Sequence, residues 1–249
     1  MRSVYMLGVF LVATGAVQAS SFSFTASSSS ACGVGNPCGG SVLFTVIDAH
    51  DFSVTLNNAL SSITDAGQLV TDLEFSLTAS SVAESGSNGI FVDIGGTGVP
   101  TVGSTGDTGW GFGSNNGAAN NWLLCVICGH GVTDTSPGPS QGIIDNQASY
   151  ASANSSIDGN GPHNPYLESG AAFTFSTSAT LPTTGNVNPF SNVFISFGTD
   201  FGREVVATGG DSIIITGETP EPLGMILAGG GLIGLSMLKR RRRPGAELL

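Results

Sequence analysis

The chain has 249 residues, of which 10% are charged, while Gly numbers 37 and Ser plus Thr number 54. This composition excludes a helix-rich cytosolic enzyme and a coiled coil, and Gly without a three-residue period excludes collagen. The net charge is −11, yet Ser20 to Glu218 holds 16 acidic residues against one basic residue, Arg203. Nucleic acid is therefore excluded as a partner, since phosphate recognition needs clustered Lys or Arg. The acidity favours solubility of an exported protein, with divalent cations on clustered carboxylates as the alternative.

The first 19 residues have the pattern of a secretory signal peptide. Arg2 precedes an apolar run from Val4 to Val17, and Val17-Gln18-Ala19 places small residues where signal peptidase reads them. A Ser-rich stretch follows at once, which argues against a buried N-terminal strand. We predict cleavage between Ala19 and Ser20, and export across the inner membrane through the Sec machinery and signal peptidase.

Residues 20–217 are predicted to form an all-β exported domain. Short runs alternate apolar and polar residues, which is typical of strands, and Gly, Asn, Ser and Asp separate them. The hydroxyl-rich outer faces of such strands need a second apolar face to bury against, so we expect a β-sandwich or jelly roll. The predicted strands are Phe22–Thr25, Val42–Ile47, Phe52–Leu56, Leu73–Leu77, Ile90–Ile94, Trp122–Ile127, Phe173–Ser176, Phe194–Phe197 and Ser212–Thr216.

Two regions of this domain are rich in Gly, Asn and Ser, namely Gly95 to Asn121 and Gly131 to Gly161. Such composition is typical of loops, and we expect both regions to be long loops. One helical turn is expected at Asp65 to Leu69.

Four cysteines, Cys32, Cys38, Cys125 and Cys128, are expected to form two disulfides, because the periplasm oxidises thiols. Three connectivities exist. The pair Cys32 with Cys38 is favoured, because Gly33 to Pro37 contains residues typical of turns, and a turn can bring the two sulfurs together. Elimination then leaves Cys125 with Cys128, and a long-range crossing stays open.

The segment from Cys125 to His130 also invites functional interpretations. Zinc could be bound by Cys125, Cys128, His130 and a further ligand, although oxidation competes with it. Haem attachment needs His directly after the second Cys, and Gly129 intervenes. Thioredoxin-like redox chemistry needs a helix in a βαβ context, which the sequence does not predict. We expect a disulfide, no metal and no cofactor.

A dense run of Gly and Pro, Asp158 to Tyr166, predicts a tight and rigid turn. Asp158 and Asn160 could offer oxygens to Ca²⁺, but the ligand spacing of a calcium-binding helix-loop-helix is missing. His163 is expected to fix the loop by a hydrogen bond rather than to act as a ligand or base.

Catalysis has weak support, because no nucleophile-elbow, zinc-protease, phosphate-loop or dinucleotide-binding motif occurs. Glycoside hydrolysis needs two facing carboxylates, and the sequence singles out no pair. We therefore predict that the protein is not an enzyme. Five aromatic residues could form a sugar-stacking platform or could equally fill the core and plug loops: Trp110, Phe112, Trp122, Tyr150 and Tyr166.

The C-terminus has three parts in a fixed order. Pro220-Glu221-Pro222 cannot continue a helix or a central strand. The uncharged stretch Leu223 to Leu238 would span about 24 Å as a helix, short against a hydrocarbon core of about 30 Å. The basic cluster Lys239-Arg240-Arg241-Arg242-Arg243 then favours a cytoplasmic tail and an exported body.

This order resembles the PEP-CTERM sorting signal. The resemblance implies recognition by an exosortase, a membrane cysteine transpeptidase, and removal of the hydrophobic tail at or near the Pro-Glu-Pro motif. It also implies a Gram-negative host that makes exopolysaccharide. A plain single-pass anchor is the alternative, but Pro-Glu-Pro has no role in one. Residues 218–243 are thus the predicted sorting tail, with a transmembrane helix, and residues 244–249 a short end.

The body is similar to an uncharacterised all-β group of PEP-CTERM proteins in four stretches: Phe52–Leu56, Gln68–Leu77, Gly161–Tyr166 and Asn192–Thr199. This likeness implies a fold and a sorting class and no activity. We therefore expect a transiently membrane-anchored protein, delivered to the cell surface or matrix, with a structural or adhesive role in the exopolysaccharide. A carbohydrate-binding module, or less favourably a polysaccharide hydrolase, is the alternative.

Overall fold

A computed structural model describes residues 19–28, 32, 36–132, 140–184, 187–201 and 204–214. Residues 212–214 are described by their backbone alone. The chain divides into two units after Ile215, and every described residue belongs to the first. The predicted signal peptide up to Gln18, and the whole predicted sorting tail from residue 218, lie outside the described residues. Ala19 and Ser20 lie inside them, and the first strand begins at Ser20, directly after the predicted cleavage site.

The described part of the chain is all-β, as its alternating pattern predicts. Three single turns of 3-10 helix accompany the strands, at Ala66–Gln68, Asn115–Gly117 and Gly161–His163. The strands are β1 (Ser20–Ser28), β2 (Cys38–Val46), β3 (Asp51–Asn58), β4 (Val70–Ser76), β5 (Val82–Ile94), β6 (Pro100–Gly106), β7 (Gly111–Ser114), β8 (Asn121–Cys125), β9 (Ile143–Ile144), β10 (Tyr166–Thr177), β11 (Ser191–Phe197), β12 (Glu204–Val206) and β13 (Thr208–Ile214).

These described strands belong to one mixed sheet whose main path runs β12-β11-β4-β9-β10-β3-β2-β1-β13. Strands β5 and β6 extend sideways from β10, and β8 and β7 extend from β4. The short strand β9 joins the half that contains β10 to the half that contains β4. It pairs in parallel with β10 and meets β4 through a single pair, Val70 and Ile143.

Alternation along β1, β2 and β3 decides which side chains are buried. The register sets Phe22 opposite Phe44, and Val46 opposite Phe52, and all four are buried. Because successive side chains of a strand point to opposite faces, Ser and Thr between them point away from the core. Burying these large side chains is the main source of stability for such a sheet.

Rings from the two halves of the sheet meet in the core. Phe44 of β2, Phe52 of β3 and Phe175 of β10 lie 5.3, 6.2 and 6.5 Å from Phe75 of β4, measured between ring centroids. None of these three strands pairs with β4, so the contacts cross the core. A second, smaller cluster lies around Ile63, Tyr150 and Tyr166.

The helical turn expected at Asp65 to Leu69 is confirmed as the 3-10 turn Ala66–Gln68. Asp65 is its N-cap and accepts a hydrogen bond from the Gly67 N–H at 2.6 Å. The Gln68 side chain accepts in return from the Asp65 N–H at 3.1 Å. This reciprocal pair is a capping box, which satisfies backbone donors that a short turn leaves free.

The prediction that Gly95 to Asn121 forms one long loop was wrong, because β6 and β7 lie within it. Residues of β6 such as Gly103 and Ser104 carry no apolar alternation, so their sequence gives no strand signal. Their backbone groups nevertheless pair with β5, and strand pairing depends on N–H and C=O groups rather than on side chains. The described part of Gly131 to Gly161 is irregular except for β9 and the start of the 3-10 turn at Gly161.

Among the described residues, no helix has the length and apolar character needed to cross a bilayer.

Candidate functional site

The five aromatic residues considered as a sugar-stacking platform do not form one. Trp110 and Trp122 are 5% and 7% exposed, and their indole N–H groups donate to the Gln141 and Leu77 carbonyl oxygens at 3.0 and 3.1 Å. Tyr150 and Tyr166 are buried, and burial raises the pKa of both hydroxyls. Phe112 is half-buried and stacks on Trp122 at the edge of the core. Four of the five rings therefore serve the core, and the five do not present a shared aromatic surface to a ligand.

The cysteines form the two pairs that the sequence favours. Cys32 is joined to Cys38, and Cys125 to Cys128, with Cα atoms 5.5 and 5.1 Å apart. Because both sulfurs are in a disulfide, Cys125 and Cys128 have no thiolate with which to bind zinc. His130 instead contacts the Asn115 side-chain oxygen through Nδ1 and packs edge-on against Phe201. No group of three or more His, Cys, Asp or Glu side chains that could hold a metal ion occurs among the described residues.

Both disulfides should protect their thiols in the native protein. We expect no alkylation by iodoacetamide until a reductant is added, and recovery of Cys32 and Cys38 in one cross-linked peptide. Because each bond closes a loop of only a few residues, Cys32→Ser with Cys38→Ser should lower the free energy of unfolding by about 2 kcal/mol. Mass spectrometry and urea denaturation check the two statements, and thiols at Cys125 and Cys128 that alkylate without reductant would contradict the pairing there.

The turn from Asp158 to Tyr166 holds itself together by polar contacts. His163 Nδ1 lies 2.7 Å from the Ser156 carbonyl oxygen and 3.2 Å from Asn160 Nδ2. The Asn164 side chain accepts from the Ile94 N–H at 2.9 Å and donates to the Ile94 carbonyl at 3.0 Å. His163 therefore fixes the loop, and Asn160 Nδ2 donates to the Ser156 carbonyl oxygen at 3.3 Å.

Glu84 and Asp107 are carboxylates whose pKa values move in opposite directions. Burial, with the nearby charge of Asp107, raises the pKa of Glu84. Hydrogen bonds from the Gly109 N–H at 3.0 Å and the Ser87 hydroxyl at 2.7 Å lower the pKa of Asp107. Such separation is typical of acid and base pairs in hydrolases. However, neither residue lines any of the three cavities described below, so none of these cavities presents the pair to a substrate.

Mostly uncharged polar side chains, together with Leu43 and Ala172, cover the outward side of β1, β2, β3 and the C-terminal part of β10. Adjacent strands set these side chains in cross-strand rows, as in Ser23, Leu43 and Thr55. We call this array the hydroxyl face: Ser23, Thr25, Ser27, Ser41, Leu43, Thr45, Ser53, Thr55, Asn57, Ala172, Thr174 and Ser176, with Asp51 at its edge. This face is nearly uncharged, whereas the described residues as a whole are acidic: they include 14 of the 18 acidic residues and no Lys or Arg.

A groove of about 270 Å³, open to solvent, continues the hydroxyl face across β10 to β5 and β6. We call it the bulge groove. It is lined by Thr55, Asn57, Asn88, Gly89, Ile90, Thr105, Glu168, Ser169, Gly170, Ala171 and Ala172.

A bulge in β10 opens this groove. Leu167 pairs with Phe91 of β5, but the next pair joins Ala171 to Gly89, so three residues of β10 face one residue of β5. Ser169, within the bulge, adopts a φ of 65°, which is uncommon for a residue other than glycine. A bulge bends its strand and changes the direction of its side chains, and here it separates β10 from β5.

Gly170 allows the Asn57 side chain to lie across β10. A Cβ atom at this position would fall 2.2 Å from Asn57 Oδ1 and 2.7 Å from the Leu56 carbonyl oxygen. Any larger residue would therefore displace Asn57, and the identity of Gly170 fixes one wall of the bulge groove.

Two further cavities lie elsewhere on the surface. The larger, of about 450 Å³, is mainly apolar and includes Leu77, Leu181, Pro182 and Val187. The other, of about 400 Å³, adjoins it through Thr78 and Ala179. Neither is lined by a charged side chain, so neither offers acid, base or metal chemistry.

Sequence reasoning singled out none of the bulge-groove residues. The available signal was Glu168-Ser169-Gly170, which precedes the alternating run Phe173–Ser176 and breaks its period. Such a break indicates a bulge or turn, but which strands flank it is a tertiary property. Comparison with known proteins adds no relative, since no family model, no curated protein and no solved structure matches this chain.

Proposed function

We propose that this protein is exported after cleavage between Ala19 and Ser20, sorted by an exosortase through its C-terminal tail, and retained as a structural or adhesive component of the cell surface or exopolysaccharide matrix. The sorting proposal rests on the order of Pro220-Glu221-Pro222, the stretch Leu223 to Leu238 and the basic cluster Lys239–Arg243. In this proposal, residues 20–217 provide adhesion and residues 218–243 direct sorting.

Three features of the body support export. Its two disulfide pairs suit an oxidising compartment. Its acidic excess without Lys or Arg among the described residues suits colloidal solubility outside the cell. Its first strand begins at Ser20, so cleavage after Ala19 would leave β1 complete.

We further propose that the body is a β-sandwich or jelly roll. The supporting observation is that Phe44, Phe52 and Phe175 contact Phe75 although their strands do not pair with β4. Likewise, a Cβ at Gly40 of β2 would lie 3.1 Å from Ile195 of β11, a strand that does not pair with β2. Two faces packed on one apolar core account for both contacts.

The hydroxyl face is the observation that carries the adhesive role. It is a broad and nearly uncharged polar surface on an acidic body, so its hydroxyl and amide groups can exchange hydrogen bonds with a hydrated neutral polymer without the cost of desolvating charged groups. The catalytic alternative has less support, because the aromatic residues are buried and neither Glu84 nor Asp107 lines a described cavity.

Mass spectrometry of the protein from matrix and membrane fractions of the producing cells tests the sorting proposal. We expect an N-terminus at Ser20 and no peptide from residues 223–249 in the matrix fraction. Replacing Pro220, Glu221 and Pro222 by alanine should leave the tail attached and hold the protein in the membrane fraction. Matrix protein that retains residues 1–19 and 223–249 would refute the proposal.

A further inference from the structure

The bulge groove offers polar groups that the fold itself does not use. Six polar side chains line it: Thr55, Asn57, Asn88, Thr105, Glu168 and Ser169. In the described part of the chain, none of the six forms a side-chain hydrogen bond with another protein group. Side-chain amides and hydroxyls both donate and accept hydrogen bonds, so these groups are free to bind a ligand from solvent.

Charge narrows the class of ligand. The groove holds one carboxylate, Glu168, and the described residues contain no Lys or Arg. An anionic polymer would meet repulsion without a compensating cation. A divalent cation would need six or more oxygen ligands and usually more than one carboxylate, and the described residues hold no cluster of three His, Cys, Asp or Glu side chains. A neutral ligand rich in hydroxyl groups matches the amides, hydroxyls and single carboxylate.

The size and the opening of the groove restrict the class of ligand further. At about 270 Å³ the groove lies just below the size range of pockets that enclose a whole small molecule. It opens onto the hydroxyl face through Thr55, Asn57 and Ala172. A polymer could therefore seat one segment in the groove and continue along the face. Ile90, which is 40% exposed, adds an apolar contact for the carbon face of a sugar ring.

We infer that the bulge groove binds a segment of a neutral polysaccharide, with Asn57 and Asn88 as its main hydrogen-bonding groups. Asn57 lies across β10 because Gly170 leaves room for it, and Asn88 lies on β5 opposite Ala172, in the same cross-strand row as Thr55. The lining residues include no aromatic ring, so hydrogen bonds carry the interaction. This inference rests on the proposed adhesive role but not on the route of sorting.

Affinity electrophoresis of the mature protein tests it, in native gels that contain galactomannan, dextran or alginate. We expect retardation by at least one of the two neutral polymers and none by alginate. The double variant Asn57→Ala with Asn88→Ala should need about ten times more polymer for the same retardation, because two hydrogen bonds to the polymer are lost. The matched control Asn146→Ala removes an exposed amide outside the groove and should match the wild type. Urea denaturation shows that the variants remain folded.

The outcomes separate the two proposals. If a neutral polymer retards the wild type and the double variant equally, the groove is not the site, while the adhesive role stands. If alginate retards the protein as strongly as the neutral polymers, the assigned ligand class is wrong. If no polymer retards the wild type, both the groove inference and the adhesive role are refuted, while the sorting proposal depends on its own test.

Discussion

Replacing Phe75 with alanine should lower the free energy of unfolding by about 3–5 kcal/mol. Phe75 is fully buried, and its ring contacts those of Phe44, Phe52, Phe112, Phe175 and Phe190. Its truncation would remove transfer free energy and leave a cavity between rings that come from several strands. Because those strands include ones that do not pair with β4, the cavity should weaken the contact between the two halves of the sheet.

Urea denaturation of the mature protein with intact disulfides measures this effect. Phe75→Leu keeps part of the volume and should cost distinctly less than Phe75→Ala. Val206→Ala, at a residue of β12 that is 62% exposed, serves as the surface control and should change stability by less than about 0.5 kcal/mol. A cost for Phe75→Ala no greater than that of Val206→Ala would show that the aromatic core is not packed as described.

Gly98→Ala should be the second large effect, costing about 2–5 kcal/mol. Gly98 lies between β5 and β6 at a φ of +67°, and an added Cβ would lie 2.3 Å from the Ala151 nitrogen. The Gly98 carbonyl oxygen also accepts a hydrogen bond from the Tyr150 N–H at 2.6 Å. Backbone rather than a flexible side chain blocks the methyl group, so the loop would have to move away from Tyr150.

Gly95→Ala is the matched control in the same turn. Gly95 has open space around the position of a Cβ and no positive φ, so its replacement should change stability by less than about 0.5 kcal/mol. Parallel urea denaturation curves for the two variants isolate the effect of the close approach. Equal stability of the two variants would show that the contact between this turn and residues 150–151 is not part of the native fold.

Glu84 and Asp107 make the free energy of unfolding depend on pH, and the direction of each contribution follows from its pKa shift. The raised pKa of Glu84 means that the folded protein binds this proton more tightly than the unfolded chain does. Its stabilising contribution is therefore complete in acid and is lost as pH rises through the raised value. The lowered pKa of Asp107 acts in the opposite sense, since its contribution is lost as pH falls. The two contributions change in different pH ranges, that of Asp107 below its ordinary pKa and that of Glu84 above its ordinary pKa.

The sequence by itself determined the features that depend on neighbouring residues. Alternation in Phe52–Leu56 and Phe173–Ser176 predicts strands because side chains of a strand change face at every residue. The turn after Asp65 follows from capping chemistry within four residues. The pairing of Cys125 with Cys128 joins residues three positions apart. Each of these signals is local, so no knowledge of the sheet order was needed.

Tertiary structure decided everything that depends on which strand lies beside which. β6 became a strand because β5 offered backbone partners, although its Gly, Ser and Thr residues carry no apolar period. Trp110 and Trp122 were assigned to the core by packing, since an aromatic side chain in the sequence is compatible with core and surface alike. The bulge groove exists because Asn57, Asn88 and Glu168 come from three strands that only the sheet brings together. The physical reason is that periodicity encodes which face a residue prefers, whereas register and strand order arise from long-range pairing that no local pattern records.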